Sequence, residues 1–261
     1  MNAEQTYPSV IVMDKKVGET PLEALERVRR EYRIAATVPM TYAGRLDPLA
    51  SGVLVLLIGD ECKAKDRYTA LDKEYEFEVL FGVATDTGDV LGLAQETGVY
   101  DEVISVGSYQ HCAERLVGKH LLEYPAYSSQ PVSGKPLFMW AREDRLGEID
   151  IPSREMEVGS AEFLGSSEVT STQLLQRITQ YISLVQGDFR QKEIVTQWTR
   201  VLGVDRVFQI GKFRITCQSG TYVRALIGEI GKWVGAPTLA YSIRRTRVGT
   251  YTLDSCITFK S

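Results

Sequence analysis

The segment from Glu74 to Phe81 constrains the fold most, because polar and apolar side chains alternate along its whole length. Tyr75 and Phe77 fall on one side with the other apolar residues, and the three glutamates fall on the opposite side. This period of two is typical of a β-strand with one buried face. The chain is therefore predicted to contain a sheet that packs against a core on one side.

Three further strands are predicted at Ser9 to Met13, at the apolar run Val53 to Ile58, and at the alternating segment Phe213 to Ser219. Helices are predicted between them without a strict strand, helix, strand order. This arrangement favours an α+β fold with a mixed, mainly antiparallel sheet and flanking helices over a doubly wound parallel one.

One helix start is clear, because Thr20 offers a capping hydroxyl, Pro21 suits the first helical position, and Glu23 follows three residues after the cap. The helix is predicted to end near Tyr32. Its inward side chains are predicted to be Leu22, Leu25 and Val28. Other helices are expected at Lys63 to Ala70, Tyr109 to Val117, Ser171 to Trp198 with a break near Gly187, and Thr221 to Trp233.

The composition excludes several classes of protein. With 261 residues and 44% hydrophobic residues, the chain can form one large globular domain, here predicted to span residues 1–261. Residues 1–10 show no targeting or membrane segment, and the four cysteines have neither metal-ligand spacing nor a dense disulfide pattern. A cytoplasmic protein with free thiols and no metal site is therefore expected. The net charge of -4 means that an RNA partner would need a local basic surface.

The most informative segment is Tyr42 to Gly52, with the sequence YAGRLDPLASG. It places Asp47 between a glycine-containing loop and Pro48, just before a buried strand. An isolated aspartate before proline more often forms a turn than a catalytic site. The complete segment, however, resembles the signature G-x-L-D-P-x-A-x-G of the TruB family of tRNA pseudouridine synthases, and every fixed position is present.

The resemblance continues in order from about residue 9 to residue 253. The late segment Ser219 to Arg224 closely resembles the family's Ser-x-Gly-Thr-Tyr-Ile-Arg motif. Weaker matches occur at Val10 to Gly18, Lys73 to Tyr75, Thr85 to Asp89, Tyr124 to Ser128, Gly134 to Arg142, and Ile243 to Arg245. The resemblance implies the pseudouridine synthase fold, with a central catalytic cleft.

The implied reaction isomerises the T-loop uridine of tRNA, at position 55, to pseudouridine without a metal or an organic cofactor. Such a reaction needs a carboxylate that can stabilise or trap an electron-poor sugar carbon, which suits Asp47. A closed site disfavours a charged carboxylate, and a fixed cation would counter this effect. By resemblance, that cation is Arg224, and Tyr75 stacks on the flipped base or accepts a proton from it. Sugar-adduct, base-adduct and elimination routes all remain open.

Substrate RNA is expected to contact Lys15, Lys16, Tyr42, Gly44, Arg45, Tyr222, Ile243 and Arg244. Further phosphate contacts are expected from other basic residues, including Lys63, Lys65, Arg67 and Arg245.

Three departures from the family pattern affect RNA binding. Tyr42 stands where bacterial members often have histidine, so it can stack and form a hydrogen bond but cannot become a cation. Lys16 replaces a proline. Residues 171–200 resemble a helical insertion, and no carboxyl-terminal PUA-type RNA-binding module is evident.

The expected partner is the T-arm of tRNA, and the protein is expected to act as a monomer without an obligate protein partner. Two alternatives share the same scaffold: a non-catalytic tRNA-binding or folding factor, and a catalytic subunit directed by a guide RNA. A glycosidase would need a second catalytic acid, for which the sequence offers no persuasive candidate.

Overall fold

The structure is a computed structural model that describes residues 7–95, 100 and 102–257. Residues 1–6, for which the sequence predicts no targeting segment, lie outside this description. The strands, numbered in chain order, are β1 (Val10–Lys15), β2 (Met40–Ala43), β3 (Ser51–Ile58), β4 (Lys73–Phe81), β5 (Ala84–Thr85), β6 (Ala94–Gln95), β7 (Gly118–Glu123), β8 (Pro131–Val132), β9 (Lys135–Pro136), β10 (Ser153–Thr170), β11 (Val207–Cys217), β12 (Thr238–Val248) and β13 (Tyr251–Thr252).

Helices cover and connect these strands. They are α1 (Pro21–Glu31), α2 (Lys65–Thr69), α3 (Val106–Leu116), α4 (Leu137–Arg142), α5 (Ser171–Leu184), α6 (Gln191–Val201) and α7 (Val223–Val234). Short 3-10 helices occur at Gly59–Ala64, Leu146–Glu148 and Leu253–Ser255. No described helix is long and apolar enough to span a bilayer, and all four cysteines are free thiols.

The central sheet has the strand order β1-β3-β12-β4-β11-β10-β7, with β2 paired to β3 and β13 paired to β12. Its strand pairs are antiparallel except for β3 and β12, which run parallel over a short contact. The predicted α+β fold with a mixed, mainly antiparallel sheet is therefore confirmed. β4 lies in the middle of this sheet, next to β12 and β11.

The predicted alternation along β4 is confirmed. Tyr75 and Phe77 are buried, and Phe77 stacks on Phe213 of β11 with ring centroids 5.7 Å apart. On the opposite face, Glu76 pairs with Arg214 at 2.7 Å. Burial of each large apolar side chain contributes roughly 1.5–3 kcal/mol, so the aromatic face stabilises the sheet far more than the surface pairs do.

Helix α1 begins with the predicted capping box, in which Thr20 and Glu23 exchange hydrogen bonds, and ends one residue before Tyr32. Leu25 and Val28 are buried as predicted, but the prediction for Leu22 was wrong. Leu22 is 59% exposed, and Ala24 lies in the core instead. Leu22 is in the first turn of the helix, where the chain borders the cleft described below.

Helices α5 and α6 form a hairpin between β10 and β11, which pair with each other along most of their length. The two helices and the break between them match the predicted helical segment. Leu174, Ile178 and Trp198 pack in the main core, and the Trp198 indole donates to the carbonyl of Gly92 at 3.1 Å. Both helices are therefore part of the folded core.

Two local predictions were wrong. Thr221 does not cap α7, because Tyr222 is the N-cap residue and the Thr221 hydroxyl donates to the Gln218 carbonyl. The segment predicted as one helix from Lys63 contains the end of a 3-10 helix and the short α2. Strand β10 was missed, because its many exposed polar residues do not alternate with apolar ones.

Candidate active site

The loop between β2 and β3 folds into a tight turn around Asp47. The Ala50 amide donates to the Asp47 carbonyl at 3.0 Å, and the Gly18 amide donates to the Pro48 carbonyl at 2.8 Å. Gly44 and Gly52 bound the turn with φ angles of 76° and 104°, which residues with a β-carbon rarely adopt. The glycines and proline of the motif thus form the turn that presents Asp47.

Arg245 holds this loop against the sheet. Its guanidinium is buried and donates to three backbone carbonyls, those of Val53 at 2.7 Å, Arg45 at 3.2 Å and Gly44 at 3.2 Å. Arg245 is opposite Tyr75 in the β12 and β4 register. The prediction that Arg245 contacts RNA phosphates is therefore wrong, because its donors are used inside the protein.

Asp47 forms an ion pair with Arg224, with Oδ2 and Nη2 2.8 Å apart. The Arg224 side chain is 4% exposed, whereas 39% of the Asp47 side chain remains exposed. A permanently charged guanidinium therefore lies behind a carboxylate that can still be reached from the cleft.

Backbone carbonyls fix the Arg224 guanidinium from two directions. Nη1 donates to the Thr87 carbonyl at 2.5 Å, and Nη2 donates to the Tyr127 carbonyl at 3.0 Å. Arg224 Nε lies 3.9 Å from Asp89 Oδ2, too far for a hydrogen bond, and has no hydrogen-bond partner among the described residues. Burial disfavours the charged guanidinium, but the Asp47 and Asp89 carboxylates outweigh this effect and raise the pKa of Arg224.

Asp89 is a second carboxylate at the site, and it is buried. One of its oxygens accepts from the Thr87 hydroxyl and the Leu91 amide, each at 2.9 Å. Burial raises the pKa of Asp89 to about 6, although the Arg224 charge opposes the increase. The sequence placed Asp89 in a turn motif without a site role, because its burial depends on the surrounding strands.

Tyr75 lies on the same face of the sheet as Ile243 and Arg245, and all three residues line the cleft beside Asp47. Burial raises the pKa of the Tyr75 hydroxyl, and the Arg245 guanidinium partly opposes this shift. The hydroxyl is therefore protonated at neutral pH. The predicted grouping of Asp47, Tyr75 and Arg224 in one cleft agrees with this geometry.

The cleft has a volume of about 810 Å³ and extends from the Asp47 loop to the connection between α5 and α6. Its walls combine aromatic side chains with basic ones. Five of the predicted RNA contacts line it, namely Tyr42, Gly44, Arg45, Tyr222 and Ile243. This size and mixture of groups suit an organic ligand of about nucleotide size.

Three predicted RNA contacts lie outside the cleft lining. Lys15 is buried and donates to the carbonyls of Lys16 and Glu19 at 2.9 and 2.5 Å, so it does not fit a direct phosphate contact. Arg244 points to the other face of β12 and pairs with Asp14 at 3.0 Å. Lys16 is exposed at the surface, where a phosphate contact remains a prediction.

Sequence reasoning missed another buried cation, Lys73, which also borders the cleft. Its ammonium group donates to the carbonyls of Thr69, at 2.5 Å, and Leu71, and burial lowers its pKa to about 8. The alternation along β4 already places Lys73 on the buried face with Tyr75. Among the described residues, no group of three or more acidic, histidine or cysteine side chains could bind a metal ion.

Residues 32–189, more than half of the chain, match the model of the TruB family pseudouridylate synthases, N-terminal domain. The chain therefore belongs to the TruB family of pseudouridylate synthases. The predicted family is confirmed, and with it the class of enzyme, an isomerase.

Relatives named tRNA pseudouridine synthase B match nearly the whole chain. The relative from Burkholderia pseudomallei is 30% identical over 257 residues, which are 98% of this chain and 69% of the relative. The one from Aromatoleum aromaticum is 29% identical and covers 95% of this chain. The present chain spans 66% of that relative's length.

Two solved structures share the fold at 17% sequence identity. A chain in the crystal structure of a Cbf5-Nop10-Gar1 complex matches 93% of this chain with a TM-score of 0.57, and a chain in an H/ACA RNP bound to a substrate RNA matches 95% with a TM-score of 0.54. The present chain spans about half of each. The pseudouridine synthase fold predicted from the sequence is confirmed.

Proposed function

We propose that this protein is a tRNA pseudouridine synthase that isomerises the T-loop uridine at position 55, with Asp47 as its catalytic carboxylate. The ion pair of Asp47 with the buried Arg224 is the observation that supports this proposal most strongly. The names of the relatives support tRNA as the substrate. Binding to the T-arm as a monomer, in the cytoplasm and without a protein partner, is part of the proposal.

In the sugar-adduct route, an Asp47 oxygen attacks C1′ of the ribose, and the bond to uracil N1 breaks with its electron pair leaving on the base. The base turns, C5 attacks C1′, and the carboxylate leaves again. Loss of the C5 proton and protonation of N1 give pseudouridine, an isomer of the starting uridine. Base-adduct and elimination routes also require an ionised Asp47, so the part played by Arg224 is the same in all three.

The target uridine must leave its stack before a carboxylate inside a cleft can reach its ribose. Tyr75 and Ile243 would then flank the flipped base, since both side chains line the cleft next to Asp47. Stacking on an aromatic ring contributes about 1–3 kcal/mol per base, which offsets part of the cost of flipping.

Exposed basic residues near the cleft mouth would neutralise tRNA phosphates. Arg45 is exposed and borders the cleft, and Lys65 and Arg67 are exposed on α2. The Lys65 ammonium lies 5.8 Å from the centre of the Tyr42 ring, so Tyr42 and Lys65 form one cationic and aromatic surface. Such a surface can bind RNA although the net charge of the chain is negative.

The test uses the purified chain, without added protein or guide RNA, and an unmodified tRNA transcript. Mapping should show pseudouridine at position 55, and a transcript with cytidine at position 55 should acquire none. Conversion of other RNA sites with position 55 untouched would contradict the substrate proposal. Conversion only after addition of a guide RNA and partner proteins would support the guide-directed alternative.

A further inference from the structure

The connection between α5 and α6, residues 185–190, forms one wall of the cleft. Val185, Asp188, Phe189 and Arg190 all line it, together with residues of the Asp47 loop. This connection belongs to the segment predicted as an insertion relative to compact family members. The hairpin thus adds residues to the site that the sequence motifs do not include.

Arg190 is the residue of this connection that contacts Asp86 and Tyr127. Its Nη1 donates to Asp86 Oδ2 at 2.8 Å, and its guanidinium lies 4.9 Å from the centre of the Tyr127 ring. Only 22% of the side chain is exposed. Its φ of 59° is uncommon for a residue with a side chain and indicates that the surrounding contacts hold the backbone in place.

Both partners of Arg190 belong to the segments that hold Arg224. Asp86 precedes Thr87, whose carbonyl accepts from Arg224 Nη1, and the carbonyl of Tyr127 accepts from Arg224 Nη2. Asp86 is itself held by the Leu93 amide, which donates to its other oxygen at 2.7 Å. Arg190 therefore links the two segments whose carbonyls orient the catalytic ion pair.

The end of α5 is held near the Asp47 loop by a second contact. A β-carbon on Gly18 would lie 2.4 Å from Cβ of Leu184, which shows how closely the helix end packs on this glycine. The Gly18 amide donates to the Pro48 carbonyl, next to Asp47. The hairpin therefore contacts the segments around both members of the ion pair, and Arg190 makes the polar contact.

We propose that Arg190 is a positioning residue, which fixes the Thr87 and Tyr127 carbonyls and through them the orientation of Arg224 toward Asp47. This inference rests on the proposed pseudouridine synthase activity. A planar guanidinium can donate to a carboxylate and stack on a ring at once, which a single ammonium group does less well. Replacement by lysine should therefore restore part of the function lost with alanine.

The experiment measures kcat and KM for unmodified tRNA with the full chain, its Arg190→Ala variant and its Arg190→Lys variant. We expect Arg190→Ala to lower kcat by about 10-fold to 100-fold, since small displacements of catalytic groups reduce rates by such factors, with KM changed less than about twofold. Arg190→Lys should recover part of kcat. Lys192→Ala is the matched control, because it removes an exposed positive charge two residues away outside the cleft lining, and it should leave both constants unchanged.

An Asp86→Asn variant tests the same link from the other side. If Arg190 acts through Asp86, the variant that combines Arg190→Ala with Asp86→Asn should have a kcat only slightly below that of the slower single variant. If thermal melting shows that Arg190→Ala does not fold, the kcat values of Arg190→Lys and Asp86→Asn are compared with that of the parent instead.

Several outcomes would overturn the inference. If the parent is active and Arg190→Ala keeps the full kcat, Arg190 does not position the ion pair. If Arg190→Ala raises KM and leaves kcat unchanged, Arg190 contributes to RNA binding instead. Fully additive losses in the double variant would also contradict it. A parent inactive on every tRNA would overturn the proposed function and this inference with it.

Discussion

The carboxylate of Asp47 and the guanidinium of Arg224 are 2.8 Å apart, yet their solvent environments differ, with the aspartate accessible from the cleft and the arginine buried. The arginine cannot release its charge by deprotonation. In the part of the chain that the structure describes, its polar neighbours are Asp47, Asp89 and the carbonyls of Thr87 and Tyr127. This arrangement keeps a cation in place behind the Asp47 carboxylate.

Replacement of Arg224 by alanine should reduce both stability and activity. Removal of the buried Arg224 guanidinium leaves the carbonyls of Thr87 and Tyr127 without their donor, and an unsatisfied buried group typically costs about 1–3 kcal/mol, whereas the partly exposed Asp47 carboxylate stays hydrated. Urea unfolding should show a loss of this size for Arg224→Ala. Lys119→Ala is the control, since Lys119 pairs with Glu155 in an exposed position and should cost less than about 1 kcal/mol. Equal losses in the two variants would contradict the account.

Asp89 should make stability depend on pH between about 4 and 6. Its pKa in the folded state is raised to about 6, so the folded chain holds a proton there that the unfolded chain has released. Protonated Asp89 therefore makes its full contribution to the free energy of unfolding below the pKa of the unfolded state. This contribution, about 3 kcal/mol, is lost as the pH rises through 6. The free energy of unfolding of the parent should fall relative to Asp89→Asn over this interval. A constant difference from pH 4 to pH 7 would contradict the burial of a titrating carboxylate.

Two glycine substitutions should have opposite effects on stability. A β-carbon on Gly52 would lie 2.1 Å from the Arg245 carbonyl oxygen, and the backbone there has a positive φ. Gly52→Ala should therefore destabilise the protein by about 2 kcal/mol or more and separate β3 from β12. Gly228 is exposed within α7 with open space around it, so Gly228→Ala should stabilise by about 0.5–1 kcal/mol. Thermal melting of both variants tests the pair, and a tolerated Gly52→Ala would contradict the described strand contact.

The Tyr75→Phe substitution removes the hydroxyl and keeps the ring, so it distinguishes the contributions of the two groups. The phenylalanine ring still stacks, so affinity for tRNA should stay within about twofold of the parent. Because burial raises the pKa of the hydroxyl and keeps it protonated, it can donate a proton but cannot accept one. If it donates a proton in the reaction, as we expect, kcat should fall by about 10²–10⁴-fold. Filter binding and single-turnover kinetics measure the two effects. A variant with full kcat would leave Tyr75 with a stacking role only.

Much of the fold could be predicted because local patterns and tertiary packing agree. The alternation along β4 and the capping box at Thr20 gave correct elements, since burial of one face and satisfaction of the first amides are local requirements. Leu22 shows the limit of such reasoning. Helical spacing assigned it to the core, but the border of the cleft leaves it exposed.

The ion pair of Asp47 with Arg224 was predicted only because two motifs were specific, since the two residues are far apart in sequence. The roles of Arg245 and Asp89 were not predicted. Arg245 looked like a surface cation, and only the pairing of β12 with β4 places it beneath the Asp47 loop. Arg190 lies outside every motif, so its link to the site appears only when the hairpin is folded.

The most direct test of the central claim is the single-turnover rate of pseudouridine formation at position 55 for the parent, Asp47→Asn, and the exposed control Asp150→Asn. We expect Asp47→Asn to bind tRNA but to react at least about 10³-fold more slowly, because an amide is not a carboxylate nucleophile or base. Asp150→Asn should match the parent. Conversion by Asp47→Asn at the parent rate would contradict the assignment of Asp47 as the catalytic carboxylate.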